Sequence, residues 1–214
     1  LLQHAAFFGQ TDVVSLLIGR GAEIAVSDQQ GDDAVSDAAG NLSWDTVRVL
    51  LRAGASPRHL TTEWGFSPLH LAALLGDAAG VARELARGAA VDAPTRRGMT
   101  PLALAAAAPS RAAVRLLVDA GANVNAADEV QQSVSQYAGE GGDLEVVKLL
   151  TARGANLAVT GAVGQSLLYD AATAGNLALT ELFAARGLSV DGTRFGGATA
   201  LLEAARGQHA EVVL

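Results

Sequence analysis

The 214-residue chain contains no cysteine and few aromatic residues, which excludes some kinds of functional site and limits how the core is built. Without cysteine it has no disulfide bond, no thiol nucleophile and no cysteine-bound zinc. Aromatic residues are 4% of the chain, so the core must be built from Ala, Leu and Val. No apolar run approaches the ~20 residues that a transmembrane helix needs, and we expect no membrane insertion. The start carries no signal-peptide pattern, which leaves the compartment open and favours the cytoplasm.

Basic residues are also scarce. The chain has 15 of them, of which Lys148 is the only lysine, against 22 acidic residues, and its net charge is −7. Proteins that bind nucleic acid use clustered Lys and Arg to displace counterions from the phosphates. This sequence has no such cluster, so we expect no nucleic-acid partner.

Residues that could carry catalysis or hold a metal are present, but their spacing suits neither task. No pair has metal-ligand spacing among the four histidines, which are His4, His59, His70 and His209. The segment 139–142, Gly-Glu-Gly-Gly, superficially resembles a phosphate-binding loop. It lacks the lysine of such loops, and Glu140 would repel an anion. We therefore predict no catalytic residue, no metal site, no cofactor and no enzyme activity.

What the chain does have is a repeat. The dipeptide Ala-Ala begins at positions 5, 38, 72, 105, 171 and 204. The step from 105 to 171 is twice as long as the others and contains a degraded copy of the dipeptide, Ala-Gly, at 138–139. A glycine follows 16 residues after the first alanine in each copy, at 21, 54, 88, 121, 154 and 187. Two series that keep the same phase over the whole chain indicate one supersecondary unit repeated about seven times.

Residues 98–131 show what one period encodes. Thr100 caps a helix, and Pro101 occupies its first position, where the missing N–H costs nothing. Pro109 breaks this short alanine-rich helix, and the apolar spacing that follows predicts a second helix ending at Gly121. A unit this small cannot bury its apolar face alone and needs a copy on each side.

This helix–turn–helix–hairpin unit resembles the ankyrin repeat. The family's Thr-Pro-Leu-His-x-Ala-Ala motif is similar to residues 67–73 and 100–106, and residues 121–126 and 143–150 add to the match. The resemblance covers the whole chain and implies an all-α solenoid of stacked helix-turn-helix units joined by β-hairpin-like loops. It predicts a single domain, 1–214, with incomplete terminal copies, divided approximately into 1–27, 28–60, 61–94, 95–127, 128–160, 161–193 and 194–214. Because both ends fall within a copy, we expect the sequence to be a fragment.

Some copies depart from the period. The second has Asp33 near the place where the helix start belongs, and the fifth has three glycines within 139–142. Each glycine in a helix costs ~1 kcal/mol relative to alanine, so we expect the fifth copy to be the loosest link of the stack. The loop between Gly54 and Gly65 has one extra residue, which should bulge or lengthen that finger.

The resemblance implies that a partner lies in a concave groove formed by the hairpin tips and the first helices. One apolar patch stands out there, with two arginines beside it: Trp64, Phe66, Leu74, Leu75 and Met99, with Arg96 and Arg97. Large apolar groups at solvent-facing positions mark interfaces, and Trp and Arg are enriched in binding hot spots. The alternative is that Trp64 and Phe66 pack locally over the long finger.

The same resemblance assigns further residues to the groove. The implied tip residues are Gln29, Gln30, Asp32, Glu63, Glu129, Val130, Gln132, Val163, Gln165 and Phe195. The ends of the first helices add Phe7, Phe8, Asn41, Ala107, Ala108, Glu140, Thr173 and Arg206.

These observations favour a monomeric protein–protein interaction module that binds another protein along its groove, with no cofactor. An alternative is a regulatory or substrate-docking array of a larger enzyme or effector whose catalytic domain lies outside this sequence. A structural spacer is a third interpretation, and it predicts a polar groove without the Trp64 patch. Fold alone does not identify the partner.

Overall fold

The computed structural model describes residues 1–28, 31–108, 110–160, 166–191 and 197–213. This part of the chain contains 15 helices and no β-strand, which confirms the predicted all-α repeat architecture. In chain order the helices are α1 (Leu2–Phe7), α2 (Thr11–Gly19), α3 (Ala34–Gly40), α4 (Trp44–Arg52), α5 (Arg58–Thr62), α6 (Pro68–Leu75), α7 (Ala78–Ala86), α8 (Pro101–Ala107), α9 (Arg111–Asp119), α10 (Val134–Gly141), α11 (Leu144–Ala152), α12 (Leu167–Thr173), α13 (Leu177–Ala185), α14 (Ala200–Arg206) and α15 (Ala210–Val213).

The helices form two rows, and neighbouring copies stack within each row. The first helices α6, α8, α10, α12 and α14 pack one on the next, and the second helices α7, α9 and α11 do the same. The buried apolar residues form one continuous core along the stack. Each copy therefore buries its apolar face against its neighbours, as the period requires.

Side-chain caps begin the first helices where the period predicts them. Ser67 caps α6 by accepting a hydrogen bond from the backbone N–H of His70, and Thr100 caps α8. Asp33, which departs from the period, caps α3 in a related way: its Oδ1 accepts from Ser36 N–H at 2.9 Å, and Ser36 Oγ accepts from Asp33 N–H at 2.8 Å. The second copy therefore keeps its helix start with a different capping box.

Single antiparallel bridges close the bases of three fingers in place of strands. They join residues six apart: Ser27 to Asp33, Ala127 to Ser133 and Thr160 to Ser166. Each bridge holds the finger beside the start of the next first helix.

The regular stacking changes between the second and third copies. The long finger after Gly54 contains the additional helix α5, which packs against α3, while α4 packs against α6. A second helix thus lies beside a first helix here, whereas in copies three to seven first helices contact first helices. The sequence predicts that one extra residue bulges or lengthens this finger; in the structure five of its residues form α5.

The fifth copy keeps its first helix in spite of its glycines. A capping box of Ser133 and Gln136 begins α10, and residues 134–138 are all buried. An alanine Cβ at Gly141 would lie 2.5 Å from the carbonyl oxygen of Ala106 in α8. Gly141 therefore allows α10 to approach α8 closely, a packing role that its helix propensity does not reveal.

Candidate functional site

Most of the apolar patch predicted to bind a partner is buried. The exposed fraction is 8% for Trp64, 4% for Phe66, 0% for Leu74 and 1% for Met99. Leu75 is half-buried, and the two arginines of the patch are exposed. The expectation that these apolar side chains face solvent is therefore wrong for four of the five, and Trp64 and Phe66 pack inside the protein instead.

An aromatic cluster of Trp44, Trp64 and Phe66 explains this burial. The ring centroids of Trp44 and Trp64 are 5.7 Å apart at an interplanar angle of 88°, and Phe66 lies 5.9 Å from Trp44. The edge-to-face geometry suits the ring quadrupoles. Because Trp44 begins α4, the second copy supplies the ring that packs against the third copy's finger.

Helix α4 continues from this cluster across the carboxyl-terminal ends of α6 and α8. Arg52 Nη2 donates to the carbonyl oxygen of Leu75 at 2.9 Å, and Arg48 Nη1 donates to that of Ala107 at 3.5 Å. The last carbonyls of a helix have no partner within it and carry partial negative charge, so they suit arginine. Arg48 is 7% exposed and also pairs with Asp45.

The helix-end positions assigned to the groove therefore differ in solvent exposure from copy to copy. In the third and fourth copies, Leu74 and Ala108 are buried. The exposed positions belong to the later and earlier copies: Glu140, Thr173 and Arg206, and Phe7, Phe8 and Asn41. These helix-end positions are therefore exposed in the first, second and fifth to seventh copies, and they are buried or half-buried in the third and fourth, where α4 lies against α6.

A cavity of about 250 Å³ lies where the turn before α4 faces α8 and α10. Ser43 and Asp45 line it from one side, and Ala107 and Glu140 line it from the other. The polar lining shows that α4 and its turn do not seal this end of the junction with apolar side chains.

The carboxylate of Glu140 has an unusual environment. The residue as a whole is exposed, yet protein atoms crowd its carboxylate, and this burial raises its pKa to about 7. The charge of Asp170 and that of Asp128 act in the same direction. A 2.6 Å hydrogen bond from Gln132 Nε2 lowers the pKa but does not cancel the increase. Glu140 therefore changes charge near neutral pH.

Two neighbouring fingers present an exposed surface of mixed charge around one apolar side chain. It consists of Arg96, Arg97, Glu129 and Val130, and we call it the tip surface; Val130 is 56% exposed. Main-chain hydrogen bonds join successive fingers, from Arg96 N–H to the carbonyl oxygen of Trp64 at 2.8 Å and from Glu129 N–H to that of Arg97 at 3.1 Å. The tip surface is thus fixed by the backbone.

The side chain of Arg97 is anchored as well. The Arg97 guanidinium carbon lies 4.3 Å from the centroid of the Trp64 ring, a cation–π contact. Gly98, with φ +79°, brings the fingers together: an alanine Cβ there would lie 2.9 Å from the backbone nitrogen of Glu129. Buried Trp64 is therefore a support for Arg97.

His70 has a structural role at the start of α6. Its Nδ1 accepts from Ser67 N–H at 3.1 Å, and its Nε2 donates to the carbonyl oxygen of Met99 at 3.2 Å. Because a backbone N–H can only donate and a carbonyl can only accept, these partners fix the neutral tautomer. Burial lowers the His70 pKa, which also favours the neutral ring. The imidazole joins the third copy to the fourth.

The described residues bring together no group of three or more His, Asp or Glu side chains that could hold a metal ion. None of their helices is long and apolar enough to cross a membrane. Five predicted tip residues lie outside the described part of the chain: Gln29, Gln30, Val163, Gln165 and Phe195.

Sequence reasoning missed Trp44, Arg48 and Arg52, which form the junction. The sequence contains one signal of this junction, since its only two tryptophans are Trp44 and Trp64. The structure shows that their rings contact each other. The other second helices begin instead at Thr11, Ala78, Arg111, Leu144, Leu177 and Ala210.

Comparison with known proteins agrees with this architecture. Residues 33–128 match a family model described as ankyrin repeats, in three copies. No curated protein matched the chain. Domains built from ankyrin repeats are in general non-catalytic protein–protein interaction modules.

Proposed function

We propose, from the premise that this chain belongs to the ankyrin-repeat family, that it binds a partner protein at its tip surface and along the neighbouring open groove. The partner contacts Arg96, Arg97, Glu129 and Val130 at the tips and reaches Glu140 on α10. The chain displays these side chains and performs no chemistry on the partner.

The observation that carries this proposal is the exposure of Val130 on a backbone that is already ordered. An exposed apolar side chain among charges supplies an anchor with a polar rim, which is the usual organisation of an interface. Because hydrogen bonds between the fingers fix the backbone, little conformational entropy is lost on binding. The charges of Arg97 and Glu129 would then select among partners.

In this proposal only the two arginines of the predicted patch contact the partner. Arg96 and Arg97 are accessible and contact the partner directly. Trp64 acts through Arg97, and Phe66 and Met99 stay in the core. The partner therefore meets the charged half of the patch, while the apolar half holds the fingers in place.

The test compares two valine variants whose parent side chains are equally exposed. Val130 is 56% exposed at a tip, and Val190 is 54% exposed away from the tip surface. Peptides selected from a display library on the wild-type chain are titrated against Val130→Asp and Val190→Asp by biolayer interferometry. We expect Val130→Asp to weaken binding at least tenfold and Val190→Asp to leave it unchanged.

Circular dichroism of both variants verifies that the helices are intact. Binding that is indifferent to Val130→Asp and to Arg97→Ala would place the interface elsewhere and reject the proposal.

A further inference from the structure

We infer that the cavity between the turn before α4 and the ends of α8 and α10 receives an arginine side chain of the partner. Its guanidinium donates hydrogen bonds to the carboxyl-terminal end of α10 and pairs with Glu140. The inference rests on the proposed function, because it names a side chain that the partner places beside the groove.

The chain itself supplies arginine to the corresponding ends of the two preceding first helices. Arg52 Nη2 donates to the carbonyl oxygen of Leu75, the last residue of α6. Arg48 Nη1 donates to that of Ala107, the last residue of α8. The final carbonyl groups of a helix have no partner within it and carry partial negative charge. In the third and fourth copies, basic side chains therefore satisfy these carbonyl groups.

The end of α10 has no such donor. Gly141 has the place in the fifth copy that Leu75 has in the third, because each is the last residue of its helix and precedes a left-handed glycine, Gly142 or Gly76. The Gly142 N–H bonds to carbonyl oxygens earlier in α10, and no described residue donates to that of Gly141. The series of arginine contacts stops where the cavity begins.

The cavity beside this helix end suits one side chain. Its volume is about 250 Å³, whereas pockets for drug-sized ligands measure about 300–1,000 Å³. Ala107 and Gly141 line it at the helix ends. A partner can reach it, because Leu42, Asp45 and Glu140 also line it and are exposed.

The charges around the cavity favour a cation. The buried guanidinium of Arg48 is already compensated by Asp45. Glu140 has no cationic partner among the described residues, and the charges of Asp170 and Asp128 act on it together with burial. An apolar side chain would leave the helix-end carbonyl group without a donor, and an acidic one would be repelled. A guanidinium has five N–H donors in one plane and can bond to a carbonyl oxygen and a carboxylate together.

The test titrates N-acetylarginine amide into the isotopically labelled full chain and follows backbone N–H chemical shifts by NMR. N-acetylcitrulline amide is the matched control, since it has nearly the same shape but a neutral end group. We expect saturable shifts at residues 42–45 and 139–142 with the arginine compound. Binding of the citrulline compound should be at least about tenfold weaker, because it loses the charge-assisted hydrogen bonds.

A variant and a change of pH test the part of Glu140. Glu140→Gln should weaken binding of the arginine compound about threefold to fivefold at pH 8, as for a partly exposed ion pair, and Glu129→Gln should not. Wild type should bind more weakly at pH 6 than at pH 8, because the raised pKa of Glu140 leaves its carboxyl group mostly protonated at the lower pH. Glu140→Gln should bind equally at both.

Equal binding of the two compounds, shifts at other residues only, or no saturable shift overturns the inference. So does wild-type affinity in Glu140→Gln at pH 8. Failure of the proposed function is separable, because Val130→Asp alters the tip surface and should leave binding of the arginine compound unchanged. Peptide binding that depends on Val130, with no binding of the arginine compound, would reject the cavity site alone.

Discussion

Replacing Gly141 by alanine should destabilise the protein, although alanine is the better helix former. Two effects compete at this position. Removing a glycine from a helix gains ~1 kcal/mol. Against this, the new Cβ would lie 2.5 Å from the carbonyl oxygen of Ala106 and 3.1 Å from that of Ala107. Ordinary carbon–oxygen contacts are about 3.3–3.6 Å, so α10 must move away from α8.

Overpacking of this kind costs about 1–3 kcal/mol and here acts on backbone atoms, which cannot rotate out of the way. Because backbone atoms place the cost toward the upper end of this range, we expect Gly141→Ala to lower the free energy of unfolding by up to about 2 kcal/mol after the gain in helix propensity. Gly139 is the matched control in the same helix. Its Cβ would meet only the end of the Leu167 side chain at 3.4 Å, so Gly139→Ala should be neutral or stabilise by up to ~1 kcal/mol.

Urea unfolding followed by circular dichroism compares the two variants with wild type. Gly40→Ala, at the end of α3 with nothing within 4 Å of the new Cβ, provides a second control. If Gly141→Ala is as stable as Gly139→Ala or more so, the close approach of α10 to α8 is not what the glycine serves, and the packing argument is refuted.

Two further predictions concern the candidate site. Trp64→Ala should lower the free energy of unfolding by about 3–5 kcal/mol, as expected for truncating a buried aromatic residue. Arg97→Ala removes only the cation over the same ring and should lower it by about 1 kcal/mol or less. Urea unfolding of both variants separates the packing role of Trp64 from the surface role of Arg97. For Glu140, the folded-state pKa of about 7 lies above the ordinary 4.5, so the folded chain holds its proton over a pH range where the unfolded chain has released it. Its contribution to stability therefore falls as pH rises from about 4.5 to 7. Glu140→Gln should remove this part of the fall between pH 5 and pH 8 in urea titrations, and Glu129→Gln should keep it; a wild-type slope in the Gln variant contradicts the assignment.

Those parts of the fold that depend on nearby residues could be predicted from the sequence. The caps at Ser67 and Thr100 act within three residues, and the alternation of two short helices follows from apolar spacing and glycines. The cap at Asp33 is less easily predicted, because the capping box has its residue types exchanged: the acidic residue is at the N-cap and Ser36 is at the third helical position. Such signals are local, and the repeat multiplies them.

The candidate site could be predicted only in part, because its burial depends on how two copies meet. The exposure of Arg96 and Arg97 follows from their place at a finger tip. The burial of Trp64 and Leu74 depends on α4 and α5, since the long finger changes which helices stack. The period predicts the position of a residue within its own copy, but it does not predict the packing at a junction that departs from the regular stacking.

The contact of Trp44 with Trp64 also determines what tryptophan emission from this chain can report. Both fluorophores of this type lie at the junction of the second and third copies, and residues 65–214 contain none. Their emission therefore records the state of that junction, whereas far-ultraviolet ellipticity averages over all the helices. In one denaturant titration the two signals coincide if the chain unfolds as a unit, and the emission changes first if residues 1–54 detach before the stack melts.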